Sequence, residues 1–172
     1  PELRKLLLMI TRSPIFKIFV KSKISETIDE VILAAEEMAS KHIGSLIVFT
    51  RSQNVQMTVD TGIKLNAVVS KELIMSIFNP KSPLHDGAVI IEDQMAIAAR
   101  CVLPLTSETK FQGTNLGTRH RAALGLSEQV DAVILVISEE TGRVSIAEGG
   151  DITLNIPISE LPAVLSTKLA DD

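Results

Sequence analysis

Two short polar clusters interrupt otherwise apolar stretches of this chain: Leu84-His85-Asp86-Gly87-Ala88 and Leu116-Gly117-Thr118-Arg119-His120-Arg121. The first offers a carboxylate on an Asp-Gly turn, directly ahead of the apolar run Val89-Ile90-Ile91. The second sets a hydroxyl and two guanidinium groups at the expected start of a helix. A carboxylate can hold a divalent metal ion, and arginines beside the free N–H groups of a helix start can hold phosphates. Cations at a helix N-terminus oppose the dipole, so arginines there make more sense with an anion among them. The pair therefore points to metal-assisted chemistry on a nucleotide. Each cluster also has a plainer reading, as a common turn and as a capped surface helix with solvated arginines. Location favours the functional one: catalytic groups concentrate in loops at strand ends, and Gly87 admits the close approach of a phosphate or a neighbouring backbone. Ser138-Glu139-Glu140-Thr141-Gly142 reads alone as a solvated hairpin turn. Beside a nucleotide it would add oxygen ligands for a metal-bound triphosphate.

The 172 residues suit one domain with a substantial core. A formal net charge of -4 excludes a general nucleic-acid or membrane-surface binder, so phosphate binding must rest on a few local arginines. Five Phe, with no Tyr or Trp, leave few rings on which a base could stack. The single Cys101 cannot form an internal disulfide, no Cys/His spacing suits zinc, and a reducing compartment fits best. No Walker lysine loop or dinucleotide-binding glycine fingerprint occurs. Neither a run of roughly 18 apolar residues nor a signal peptide is present. The chain opens on Pro1-Glu2-Leu3 without Met, so an upstream segment, a membrane anchor included, stays open.

Periodicity sets out the elements that must carry these groups. Leu3, Leu6, Leu7 and Ile10 predict a helix ending before Ser13-Pro14, followed by a basic connector from Lys17 to Lys23. A stronger helix is expected from Glu26 to His42, with Thr27 and Glu30 at capping-box spacing, Ile28, Val31, Ile32, Ala35 and Met38 on its apolar face, and Gly44 as its stop. Leu46 to Phe49 reads as a buried strand, Ser70 as the start of a helix stopped by Asn79-Pro80. Val89–Ile91 and Met95–Cys101 form an expected hairpin, Thr118 to Leu126 a helix with Thr118 as N-cap, and Ala132–Ile137 with Arg143–Ala147 a second hairpin. A last helix runs from Ser159 to Leu169. Hairpins mixed with helices indicate an α/β fold, a mixed and largely antiparallel sheet flanked by helices.

The segments Pro83 to Ile90 and Leu116 to Ala123 resemble the bacterial diadenylate cyclase domain, with its Asp-Gly-Ala and Arg-His-Arg signatures. Thr61 to Ala67, Val102-Leu103-Pro104-Leu105 and Val136 to Gly142 match in the same order, so the resemblance covers Ile28 to Ala147. Pro1-Glu2-Leu3-Arg4 resembles the segment after the transmembrane helices of the family's membrane-anchored branch. The resemblance implies the diadenylate cyclase fold, with residues 1–24 a helical linker following a missing anchor and 25–172 the catalytic domain. It implies condensation of two ATP into cyclic di-AMP with release of two pyrophosphates, across a face-to-face homodimer and with Mg2+ or Mn2+. The implied catalytic residues are Asp86, Gly87, Arg119, His120 and Arg121, with Asp86 and His85 on the metal. The implied ATP contacts are Leu103 at the adenine, Gly117, Thr118 and Arg119 at ribose and phosphate, and Ser138, Glu139 and Glu140 at the triphosphate. It further implies a cytoplasmic catalytic domain of a protein anchored in the bacterial cell membrane, with a YbbR-repeat membrane regulator and a phosphoglucosamine mutase as partners and no nucleic acid. Relatives often carry Tyr before the Leu-Pro-Leu segment, where this chain has Val102, so no ring stacks on adenine from that position. Two other readings are a non-catalytic nucleotide-sensing module of the same fold and a metal-dependent phosphohydrolase. The latter is disfavoured because the three histidines show no paired-ligand spacing.

Overall fold

A computed structural model describes residues 2–51 and 55–170. Helix α1 (Glu2–Thr11) has no buried residue and leads into α2 (Pro14–Ser40). Strand β1 (Ser45–Thr50), the short helix α3 (Gln56–Val59), β2 (Ile63–Val68) and α4 (Lys71–Phe78) follow. The hairpin β3 (Ala88–Glu92) and β4 (Met95–Cys101) precedes a small one, β5 (Lys110–Phe111) and β6 (Thr114–Asn115). Helix α5 (Thr118–Ser127), β7 (Ala132–Ile137), β8 (Val144–Glu148), β9 (Asp151–Ile156) and α6 (Leu161–Leu169) complete the chain. The main sheet has seven strands in the order β2-β4-β3-β1-β7-β8-β9. β1 and β3 run parallel, whereas every other described pairing is antiparallel.

The sheet separates two apolar layers. Ile47 and Phe49 of β1 and Val133, Leu135 and Ile137 of β7 face α2, α4 and α6. Leu46, Val48, Ile134 and Val136 face the other way, onto α3 and α5. Both faces of β1, β3 and β7 are covered, which is why these strands read as unbroken apolar runs. Far from the polar clusters, Arg51 ties the end of β1 to its neighbours. Its Nη2 lies 2.7 Å from Asp131, its Nη1 2.7 Å from Glu148, and Lys168 closes the group 2.9 Å from Glu148.

Several expectations need correction. The stretch Lys17 to Lys23 is no connector: α2 runs unbroken over 27 residues, started by Ser13 and Pro14, because nothing in the segment breaks a helix. Thr27 is therefore not a cap. Its hydroxyl donates back to the Lys23 carbonyl at 3.1 Å, and Glu30 accepts from the Lys71 N–H at 2.6 Å. The helix ends at Ser40 with Lys41 as its C-cap; His42 beyond it takes the left-handed conformation (φ 52°) while Ile43 N–H reaches the Met38 carbonyl at 2.8 Å, so Gly44 is not the stop. On α5 the N-cap is Gly117, and Thr118 is the first helical residue, without a capping bond. The edge strands β2 and β9 were not expected. Each holds a positive-φ Asn (Asn66, Asn155) and pairs across a register shift, which destroys the two-residue period.

Two outcomes test this packing. Gly125 of α5 lies against the chain after β4, where an added Cβ would meet the Pro104 carbonyl and come within 2.7 Å of Thr106 N. Helix propensity alone would make Gly125→Ala stabilising by about 1 kcal/mol. The contact is with backbone and cannot yield, so the variant should instead lose about 1–3 kcal/mol, read as a lower urea midpoint at unchanged slope. Between α2 and α4, Lys41 and Lys71 hold the Glu37 carboxyl down at about 2, from an ordinary 4.5. A lowered carboxyl stabilises the fold fully above its unfolded value and loses that contribution as pH falls to the folded one. The difference in melting temperature between the protein and Glu37→Gln should thus shrink from pH 4.5 down to about 2.

Candidate nucleotide site at one end of the sheet

The sheet register brings the two clusters together. β1 pairs with β3 with Ile47 beside Val89, and with β7 with Ser45 beside Ile137. The strand directions therefore bring the loop that carries Asp86 and Gly87, Gly44 ahead of β1, and Ser138 after β7 to the same end of the sheet. Gly44 is the seat between them. A Cβ there would come within 2.6 Å of Arg119 Nη1 and 3.0 Å of Glu139 Cβ, so only a bare backbone lets the Arg119 guanidinium lie across this position. Arg119 Nη1 also lies 3.4 Å from Glu139 Oε2.

An open cavity of about 370 Å3 occupies the β7 side of this edge. Its walls are the start of α5 (Gly117, Thr118, Arg119, His120), the turn after β7 (Ser138 to Thr141, with Arg143), the β5–β6 hairpin and Leu154 and Asn155 of β9. Free N–H groups of the first helical turn and a guanidinium thus face the same space. Ser138 Oγ accepts from the N–H groups of Glu140 and Thr141, both at 3.2 Å, which leaves its own proton free to donate. Gly142 (φ 70°) packs this turn onto the end of α2, where a Cβ would meet the Ala39 carbonyl. Burial, and then the charge of Arg119, lower the His120 pKa, so this ring is neutral at pH 7 and adds no third cation.

The expected residues thus divide. Gly117, Thr118, Arg119, His120, Ser138, Glu139 and Glu140 line the cavity, whereas His85, Asp86, Gly87, Leu103 and Arg121 do not. Asp86 is exposed at the start of β3. His85 Nδ1 lies 2.7 Å from the Ser82 carbonyl; since a carbonyl only accepts, Nδ1 carries the proton and Nε2 presents its lone pair. Gly87 (φ 149°) admits the backbone of β4: a Cβ would lie 2.7 Å from Arg100 Cα. Leu103 is 5% exposed and packs in the α5 layer, so its side chain offers a base little surface, whereas Val102 is 67% exposed. Arg121 Nη2 donates to the Thr106 carbonyl at 3.0 Å. Burial pushes the Cys101 thiol up to about 11, which suits a packing residue. Sequence reasoning missed Gly44, Arg143 and the β5–β6 hairpin. Only the hairpin carried a signal: Gln112-Gly113, with φ 49° and 80°, is a tight two-residue turn.

Among the described residues no group of three or more His, Cys, Asp or Glu could hold a metal by itself. The neighbouring His85 and Asp86 are side chains of types that could each serve as a ligand to a divalent cation.

Residues 32–152 match the DAC family model, described as DisA bacterial checkpoint controller nucleotide-binding. The chain is 42% identical over 171 residues to the cyclic di-AMP synthase CdaA of Bacillus subtilis, covering 98% of this chain and 62% of that protein. It is 40% identical to a diadenylate cyclase of Listeria monocytogenes, covering 98% and 63%. The structure of a double mutant of DacA from Staphylococcus aureus superposes with a TM-score of 0.79 at 39% identity, over 83% of this chain and 95% of that one. A structure described as a hypothetical membrane spanning protein from Bacillus cereus gives a TM-score of 0.70 at 43% identity, over 75% and 63%. The chain belongs to the DAC family of nucleotide-binding domains. It spans a little over three-fifths of the length of the Bacillus and Listeria relatives. No helix among the described residues is long and apolar enough to cross a membrane.

Gly44→Ala tests the seat. The guanidinium is the flexible partner and should give way, leaving the fold intact. Tripolyphosphate binding by calorimetry should weaken about tenfold, the scale of one charged hydrogen bond, with melting nearly unchanged. Unaltered binding would show that Arg119 does not need this position.

Proposed function

We propose that this chain is the catalytic domain of a diadenylate cyclase, condensing two ATP into cyclic di-AMP and two pyrophosphates. The observation that carries this reading is the split of one sheet edge into two halves. The cavity lined by the start of α5 lies beside β7, and Asp86 is exposed in the bend just ahead of β3, two strands away. Within one chain the carboxylate stands apart from the nucleotide that the cavity would hold. Two copies facing each other about a two-fold axis would bring each Asp86 to the ATP of the other, and the product has that same symmetry.

In each half-reaction the ribose 3'-oxygen of one ATP bonds to the α-phosphorus of the other. The bond from that phosphorus to the bridging oxygen breaks, and pyrophosphate leaves. The N–H groups at the start of α5 and the Thr118 hydroxyl hold phosphate oxygens. Arg119 stabilises the charge that grows on the leaving pyrophosphate. An incoming phosphate would displace Glu139, a weak partner at 3.4 Å and 65% exposed, from the guanidinium. Ser138 donates its free proton to the triphosphate. His85 Nε2 and Asp86 would hold a divalent cation, Mg2+ or Mn2+, which offsets triphosphate charge and orients the α-phosphate for in-line attack. The 3'-hydroxyl proton passes to the Asp86 carboxylate as the new oxygen–phosphorus bond forms. The whole protein, on this reading, is held at the bacterial membrane by a segment preceding these residues.

Incubation with ATP and Mn2+ or Mg2+, with nucleotide products separated by chromatography and weighed by mass spectrometry, tests this directly. Cyclic di-AMP should form, and specific activity should rise with enzyme concentration in the dilute range where the dimer dissociates. Asp86→Asn keeps the shape and removes the charge, so it should nearly abolish product at an unchanged melting temperature. Nucleotide binding without product would select the sensing module instead.

A further inference from the structure

Arg121 belongs to the same signature as Arg119, yet the helix sends the two in different directions. Residues two apart on an α-helix point about 200° apart and cannot grip one anion from the same side. Arg119 lies on Gly44 and lines the cavity. Arg121 Nη2 donates to the Thr106 carbonyl at 3.0 Å, and its own carbonyl accepts from Thr106 N–H at 3.1 Å. Its Nε is buried without a partner, which places the guanidinium inside the fold.

The segment from Val102 to Thr106 is held from every side. Val102 N–H donates to Thr61 Oγ1 at 2.8 Å, and Thr106 Oγ1 donates to Glu128 at 2.7 Å. Gly125 lets Pro104 sit directly on α5. Between these anchors the backbone groups of Leu103 and Leu105 take part in none of the hydrogen bonds found outside strands and helices. Val102 and Leu105 are 67% and 53% exposed. A rigid loop with idle backbone donors and acceptors beside exposed aliphatic surface can read the edge of a nucleobase without a stacking ring. Hydrogen-bond strength falls steeply with angle, so such reading requires the loop to be fixed.

We propose that Arg121 is a positioning residue that fixes the Val102–Thr106 loop for the nucleobase, and that it is not a phosphate ligand. The inference rests on the nucleotide reading above, in which the family resemblance already puts adenine at Leu103 of this loop, and adds the role of Arg121.

Calorimetry with 3'-deoxy-ATP, 3'-deoxy-GTP and tripolyphosphate tests it; the deoxynucleotides lack the attacking hydroxyl and cannot condense. The wild-type protein should bind 3'-deoxy-ATP more tightly than both other ligands; failure here would sink the nucleotide reading itself. Arg121→Met should weaken 3'-deoxy-ATP about tenfold and erode its preference over 3'-deoxy-GTP, while tripolyphosphate affinity stays within about twofold. Arg119→Ala should do the reverse, losing tripolyphosphate and keeping base preference. Glu128→Ala removes an exposed acceptor from the far side of the loop, safeguards the test should Arg121→Met fail to fold, and should show the Arg121 signature in weaker form. Loss of tripolyphosphate binding in folded Arg121→Met would overturn the proposal. So would unchanged base preference in both Glu128→Ala and folded Arg121→Met.

Discussion

The chemistry of this molecule depends on the pairing of β1 with β3 on one side and β7 on the other. A parallel pair at the centre of an antiparallel sheet requires a long crossover, and here α3, β2 and α4 supply it. Its consequence is that β1 and β3 begin at the same end, where the antiparallel β7 finishes. Three segments distant in sequence therefore deliver their polar ends to one edge: Asp86, Gly44 and Ser138. The side chains packed on both faces of these strands hold that register, because each fills a set place in one of the two close-packed layers. Arg51 and its carboxylate partners clamp the opposite end.

The acidic balance of the chain gives this edge its selectivity. With a net charge of -4, the molecule has no field that draws polyanions in general. Within the cavity the cationic side chains are Arg119 of α5 and Arg143 ahead of β8, since burial and the charge of Arg119 lower the His120 pKa. Glu139 partly satisfies Arg119 in the absence of ligand. An exposed pair at 3.4 Å is worth little in water, so a multiply charged phosphate competes with it easily, whereas a single carboxylate gains almost nothing by the exchange.

Much of this could be read from residues alone. The buried strands announced themselves as apolar runs, Ser70 as a cap that accepts Leu73 N–H at 3.1 Å, and the Asp-Gly and Arg-His-Arg clusters as chemistry. What could not be read were features set by tertiary contact. Gly44 looked like a helix stop because glycine after a helix usually is one, and only its neighbours across the sheet reveal that it makes room for a guanidinium. Thr27 and Glu30 had cap spacing, yet Pro14 had already started the helix, and Lys71 of another element claimed Glu30. The edge strands were hidden by bulges, which exchange regular alternation for twist. Leu103 was expected to wall the adenine, but the adjoining α5 layer buries its side chain and leaves the loop only its backbone and its two exposed neighbours to offer.

The alternation of Arg119 and Arg121 was legible in principle and carries the last step. Helical spacing of two residues is the one that cannot converge, so an Arg-X-Arg signature on the first turns of a helix implies two different jobs. On α5 one guanidinium reaches the mouth of the cavity and the other reaches the loop that follows β4. A single short helix thereby fixes the distance between the cavity and the Val102–Thr106 loop, which on the proposed reading take the phosphates and the base. Its rigidity is the reason that spacing is set by the fold. It also explains why Gly125, one turn further along, must stay bare: any side chain there would push the loop off the helix and out of step with Arg119 and the cavity.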